Sequence, residues 1–369
     1  MITIKKKLDM EDRVKLIAFH LPQFHRCKEN DEWWGDGFTE WTNTRKAKKL
    51  FKNHNQPREP QENNYYDLSN LRDNLQQMKL AEEYGIYGFC YYHYWFKGRK
   101  LLNKPIELIR DFNGHKLQYC LCWANESWIR TWDGSKNILL KQEYGLIEDW
   151  ENHFQYLNSF FQDPAYIKKN GRPILVLYRA KNIPECDKMI KYWDNRCCEE
   201  GFQGIHIIEE LNCFQNFPIC KNSKAFLEFE PLYTMTYGAK IFDKILYTVI
   251  SSIFNLVNKT HNQIYLYSQL WRNIINRKHL DLKEKKCYLG AFVDWDNTAR
   301  KGKYGRIVLG TSPQNFDKYM NKQYENAIAI GSEYIFINAW NEWGEGTYLE
   351  PDKKNGYLYL EAIKQIWSK

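Results

Sequence analysis

Lys15-Leu16-Ile17-Ala18-Phe19-His20-Leu21-Pro22-Gln23-Phe24-His25 decides between two folds. The run 15–20 is almost wholly apolar, as a strand covered on both faces should be. A doubly wound dinucleotide-binding sheet would follow it with a glycine-rich turn. Here the chain continues instead with polar and aromatic residues on either side of Pro22. Seven further β-type runs follow at 88–94, 117–123, 173–179, 206–210, 225–230, 288–294 and 334–340. Amphipathic stretches at 68–84, 103–112, 147–161, 184–200, 312–327 and 356–367 lie between or after them. Ser69 is a candidate cap for the first, and Gly85, Gly114, Pro164 and Gly201 are stop signals. Eight strands alternating with helices predict a (β/α)8 TIM barrel, an α/β fold. A chain of 369 residues, 43% of them apolar, suits one such domain with insertions.

Two connections are long, a loop over 21–67 and a helical insertion over 233–286. After barrel strands, such loops lie on the catalytic face. Within the insertion, 241–257 is strongly apolar, broken by Asp243 and Lys244. The expectation is an extra helix packed on the barrel, the ordinary fate of an amphipathic segment. The alternative is weak association with a membrane surface.

The net charge of +8 is spread out, apart from Lys5-Lys6-Lys7 and 283–286. No nucleic-acid module accompanies it, so no nucleic-acid partner is expected. The N-terminus shows no apolar signal core, which predicts a cytoplasmic protein, peripheral to the inner face if 241–257 meets the membrane. Ten cysteines in such a compartment are expected to be free thiols. Cys120-x-Cys122 lies in a strand pattern rather than at zinc spacing, so neither metal nor cofactor is expected.

Every β-type run ends in groups suited to acid–base or hydrogen-bonding work. These are His20 and Gln23; Tyr91, His93 and Trp95; Trp123, Asn125 and Glu126; Tyr178 and Arg179; Glu209 and Glu210. The last three runs add Glu228 and Glu230; Asp294, Trp295 and Asp296; and Asn338, Trp340, Asn341 and Glu342. A barrel gathers such ends at one mouth. A single strand-end acid can be a cap or an ion-pair partner, but coincidence at eight ends argues for a site. A site rich in carboxylates and aromatics, without a phosphate loop, suits an oligosaccharide or polysaccharide. Aromatic rings pack on sugar faces, and paired acids cleave glycosidic bonds.

Glu342 and Glu345, in Trp340-Asn341-Glu342-Trp343-Gly344-Glu345-Gly346, are the expected catalytic pair. The glycines allow an irregular turn. Trp340 and Trp343 offer apolar walls that would raise one carboxyl pKa. The plainer reading is that Gly-Glu-Gly is only a turn. Glu126 is a rival acid. Glu40, beside Trp41, could bind a sugar hydroxyl or anchor its loop. His93 could bond a hydroxyl or only the core, and Asp294 and Asp296 could bind substrate or cap the next segment.

At these residues the chain resembles the WbsX-type proteins of bacterial polysaccharide gene clusters. These are often called glycosyltransferases and are related to the family 99 glycoside hydrolases, the endo-α-mannosidase group. The likeness runs from about Lys15 to about Asp352. It rests on the stretch 18–25, on Glu29-Asn30-Asp31-Glu32-Trp33-Trp34-Gly35, and on Gly37-Phe38-Thr39-Glu40-Trp41-Thr42-Asn43. It continues through 88–96, Leu121-Cys122-Trp123-Ala124-Asn125-Glu126, 339–346 and Tyr348-Leu349-Glu350-Pro351. Ser127 and Thr131 depart from the usual Asn and Arg. The resemblance implies the barrel, a place in surface polysaccharide metabolism (O-antigen or capsule), and two roles. Glu342 would act as base on the sugar's own 2-hydroxyl, giving a 1,2-anhydro sugar. Glu345 would act as acid and then as base, with retention of configuration. A retaining hydrolase or transglycosylase is therefore the leading reading. A sugar-nucleotide-dependent transferase and a non-catalytic glycan-binding barrel are the alternatives.

Overall fold

The computed structural model describes residues 13–112, 114–130 and 137–368. Lys5-Lys6-Lys7 and Thr131 lie outside the described residues. Eight parallel strands form a closed barrel: β1 (Lys15–His20), β2 (Gly88–Phe96), β3 (Gln118–Trp123), β4 (Arg172–Leu177), β5 (His206–Leu211), β6 (Ala225–Glu228), β7 (Lys286–Phe292) and β8 (Tyr334–Asn338). Each pairs with the next in the chain, and β8 pairs with β1, closing the sheet. This is the (β/α)8 architecture expected from the sequence.

Helices cover the outside. The connection after β1 carries α1 (Lys28–Trp34), α2 (Glu40–Lys46) and α3 (Leu71–Glu83). Then come α4 (Lys104–Asp111), α5 (Ile147–Phe161) and α6 (Cys186–Glu199). No helix separates β5 from β6. The insertion after β6 holds α7 (Ile241–Asn258) and α8 (Tyr267–Ile275). The rest are α9 (Thr298–Lys301), α10 (Pro313–Ile330) and α11 (Leu358–Trp367). Local signals explain α10: Ser312 accepts the Asn315 N–H, Pro313 opens the first turn, and Gly331 closes it in the left-handed region. In α3 the cap position is Asn70 rather than Ser69.

Ring contacts between strands that are not neighbours show which side chains point inward. Phe19 of β1 meets Phe229, just past β6, at 5.0 Å, and the Tyr288 hydroxyl of β7 lies 3.1 Å from His206 of β5. Tyr92 stacks with Phe19 at 5.5 Å. Truncating a filler such as Phe19 to Ala would cost roughly 3–5 kcal/mol. The alternate residues face the helices. His20 bonds Gln77 of α3 at 2.7 Å, and His93 bonds His153 of α5 at 2.8 Å. All ten cysteines are unbridged.

α7 corrects one expectation. It is a helix attached to the barrel, but by a narrow and largely polar stripe, to which Tyr247 adds a ring contact with Tyr265 at 4.9 Å. Asp243 accepts Asn273 of α8 at 2.8 Å, the Ser251 hydroxyl accepts the Ile264 N–H, and Asn255 bonds Asn262. Only Asp243 and Tyr247 within it are buried, and most of its apolar side chains are exposed.

Candidate active site

The turn after β8 builds the centre. Asn341 clips it to the end of β1, accepting the Leu21 N–H at 2.7 Å and donating to the Leu21 carbonyl at 3.0 Å. Thr347 donates back to the Asn338 carbonyl at 2.6 Å. Trp343 stacks on Tyr348 at 3.8 Å and donates its indole N–H to Glu350 at 2.6 Å. The Tyr66 hydroxyl also donates to Glu350, at 2.9 Å. Between these anchors Glu342 and Glu345 reach the mouth. Gly346 has φ +67°, a region costly for other residues. Gly344 is needed for space: a Cβ there would lie 1.7 Å from Oε1 of Glu40.

One guanidinium organises the acids. Arg300, on α9 after β7, donates Nη2 to Glu342 at 2.9 Å, Nη1 to Glu345 at 2.8 Å and Nε to Glu40 at 2.8 Å. Three carboxylates, two from the turn after β8 and one from α2, thus share one cation. Burial drives the Glu342 pKa up to about 8, with Arg300 opposing and Glu345 and Glu40 adding to the rise. Burial also raises Glu40, again against Arg300. Glu345 is only partly buried and stands nearer solvent.

The opposite wall holds a second set. Glu126 pairs with Arg179 and is raised by burial, with the Glu345 charge adding to the rise. Glu210 is buried and also raised by loss of solvation. Tyr178 lies within the field of both. Tyr92 and Tyr94 complete the rim; both feel the Glu342 charge, and Tyr94 also that of Arg300.

Of the residues named from sequence, the mouth brings together Glu342, Glu345, Glu40, Glu126, Tyr178, Arg179 and Glu210. Gln23 lies beside them, its carbonyl accepting the Glu40 N–H at 3.0 Å. The others sit elsewhere. Tyr91, His93 and Trp95 occupy the outward phase of β2. Tyr91 packs on His20, and Trp95 donates to Asp149 of α5. Trp123 turns to His153 and Trp193 between α5 and α6. Asn125 clips the ends of β3 and β4 through both backbone groups of Arg179. Trp41, Trp340 and Trp343 are buried behind the acids as scaffold. Glu228 faces away from the mouth, paired with Arg277 at 2.7 Å and His279 at 3.0 Å. Asp294 binds Arg58 at 2.8 Å and lines a separate polar cavity of about 180 Å³. Asp296 is held by His54 at 2.8 Å in the same cavity wall.

Among the described residues, Glu228, His279 and Cys287 place ligand-type atoms within 4.8 Å of one another. The Arg277 guanidinium already neutralises Glu228, so a metal ion there would meet a fixed positive charge.

With this geometry established, comparisons place the chain. The model of the family described as Glycosyltransferase WbsX matches residues 16–363. The chain belongs to the WbsX family. Two curated relatives, both the uncharacterized protein WxcX of Xanthomonas campestris pv. campestris, strains B100 and ATCC 33913, are 34% identical over 355 residues. The match covers 95% of this chain and 49% of theirs, so the chain spans about half the length of these relatives. Among solved structures it resembles the GH99 endo-alpha-mannosidase from Bacteroides thetaiotaomicron in complex with BIS-TRIS-Propane (TM-score 0.51, 13% identity, 98% of this chain and 97% of that one). It also resembles a glycoside hydrolase-like protein (TM-score 0.56, 14% identity, 100% and 97%). At these identities the likeness is one of fold.

Sequence reading of this WbsX chain did not find Arg300, Tyr92, Tyr94, Tyr66 or Arg58. Arg300 stands in Thr298-Ala299-Arg300-Lys301, which resembles any solvated basic turn. A usable signal was the excess of acids at the mouth, which requires a cation.

Proposed function

We propose that this WbsX chain is a carbohydrate-active enzyme that breaks or exchanges a glycosidic bond with retention, using Glu342 and Glu345. The observation that carries this is the sharing of Arg300 by Glu342, Glu345 and Glu40 at the C-terminal mouth of the barrel. The WbsX family match and the glycosidase-like fold support a sugar substrate and a role in polysaccharide metabolism.

The two acids differ in a way that suits the division of work. A general base is more effective when its pKa lies near the working pH. Burial gives Glu342 that property, so it is assigned to take the proton of the sugar's 2-hydroxyl as that oxygen attacks C1. Glu345 stands nearer solvent at the same turn and is assigned to protonate the leaving oxygen. In the second step, as Glu345 takes a proton from water or an acceptor hydroxyl, the anhydro ring opens at C1, and the 2-oxygen recovers its proton from Glu342. Configuration is retained because C1 is attacked twice. Tyr94, Glu126 and Glu40 are assigned to bond further hydroxyls.

The test is turnover of purified protein on bacterial surface glycans, with and without sugar nucleotides. Cleavage or exchange without a nucleotide supports the reading. Turnover only with a sugar nucleotide overturns it in favour of a nucleotide-dependent transferase. Binding without any turnover would leave a glycan-binding barrel.

A further inference from the structure

We infer that α7 is a membrane-docking helix that seats this chain on an anionic lipid surface. Phe242, Ile245, Val249, Ile253 and Leu256 recur at three- and four-residue spacing and are all exposed, Phe242 at 80% and Leu256 at 83%. A helix of 18 residues with its polar stripe turned inward and its apolar face outward is the reverse of a surface helix in water. The polar stripe fastens it lengthwise to the body through Asp243, Ser251 and Asn255. The helix is therefore set to lie in the plane of an interface rather than to cross it.

Charge identifies the occupant. Two neighbouring segments border the helix. Phe51 meets Phe254 of α7 at 5.0 Å, bringing the segment 48–53 alongside. His261, just past α7, donates its backbone N–H to the Lys303 carbonyl at 2.8 Å and stacks on exposed Tyr304. The stretches 48–53, 240–262 and 301–306 carry three Lys or Arg each, and Asp243 is their one carboxylate. Asp243 is buried beneath the helix. An apolar face bordered by cations with no exposed acid matches anionic headgroups over acyl chains. A protein partner would need an apolar and acidic surface of its own.

The docking face is coupled to the mouth. The segment 48–53 leads into His54, which holds Asp296, whose N–H bonds the Glu345 carbonyl at 2.8 Å.

The test is flotation of the full chain with vesicles of phosphatidylcholine, with and without phosphatidylglycerol, across a salt series. It needs no turnover, so its failure is separate from failure of the proposed chemistry. The expected result is binding to the phosphatidylglycerol vesicles that weakens at high salt. It should fall at least 10-fold in the double variant Phe242→Glu, Leu256→Glu and on neutral vesicles. Both side chains are exposed, so the variant should keep the wild-type circular dichroism spectrum and melting temperature. Equal binding by the variant, or no binding to either vesicle, overturns the inference. So does a wild-type dimer in sedimentation velocity that the variant abolishes while neither floats, since a second copy would then be the occupant.

Discussion

Replacing Arg300 with Met removes the one cation that, among the described residues, bonds Glu342, Glu345 and Glu40, while leaving a side chain of similar length. An opposite charge at hydrogen-bond distance lowers a carboxyl pKa by roughly 1–3 units, so its loss raises Glu342 by a similar amount. Glu342 starts from about 8. At neutral pH its deprotonated fraction would fall by roughly 10- to 1000-fold, one factor of ten for each unit. If Glu342 is the base, kcat/KM falls by the same factor and recovers as pH rises. Arg300→Lys, which keeps a charge near the acids, should show a smaller displacement of the same kind. The direct assay needs no substrate: a carbon-13 NMR titration of labelled glutamates, with the Glu342 signal assigned by Glu342→Gln. A Glu342 midpoint that stays put or moves down in Arg300→Met would refute the reasoning. A loss of turnover equal at every pH would show that Arg300 acts only as scaffold.

Other outcomes follow from the same geometry. Gly344→Ala places a methyl group against Oε1 of Glu40, and overpacking of this kind costs roughly 1–3 kcal/mol. It should lower the melting temperature and displace Glu40 from Arg300, reducing kcat/KM. Tyr94→Phe should raise KM with little change in melting temperature, whereas His93→Ala should do the opposite, because His93 bonds His153 of α5, away from the mouth. Glu350 is held at about 8 by burial, above the ordinary 4.5. Between those values the folded state keeps a proton that the unfolded state releases, so stability is greatest below 4.5 and is lost as pH rises toward 8. The slope is at most about 1.4 kcal/mol per pH unit for this group. Denaturant midpoints measured across that window should fall with pH, and less steeply in Glu350→Gln.

The barrel was legible because its strands are covered on both faces. Each expected run overlaps its strand, and the expected 147–161 helix coincides with α5. Several runs continue about two residues past the paired ladder, at 179, 230, 294 and 340, because the residues leading into the mouth are themselves packed. The same double burial hid the phase. All nine residues of β2 are buried, so no alternation of polar and apolar types marks which face the interior. Tyr91, His93 and Trp95 drew attention by chemistry, yet Tyr92 and Tyr94 occupy the inward phase. Glu342, Glu345 and Glu40 were legible because the turn carrying each is marked by glycine and tryptophan. Arg300 was not, since its role comes from three carboxylates that only folding brings together. α7 was legible as a helix, but the direction of its apolar face depends on the short polar stripe that Asp243, Ser251 and Asn255 present to the body.

The central claim is the division of work between Glu342 and Glu345, and leaving-group dependence tests it most directly. Glu342→Gln and Glu345→Gln would each be assayed on a glycan with an ordinary sugar leaving group and on the matching aryl glycoside, whose leaving group departs without a proton. The account predicts that both variants lose turnover on the glycan. On the aryl glycoside, bond breaking should return in Glu345→Gln and stay lost in Glu342→Gln. Rescue of Glu342→Gln instead, or full turnover of the glycan by both variants, would contradict it.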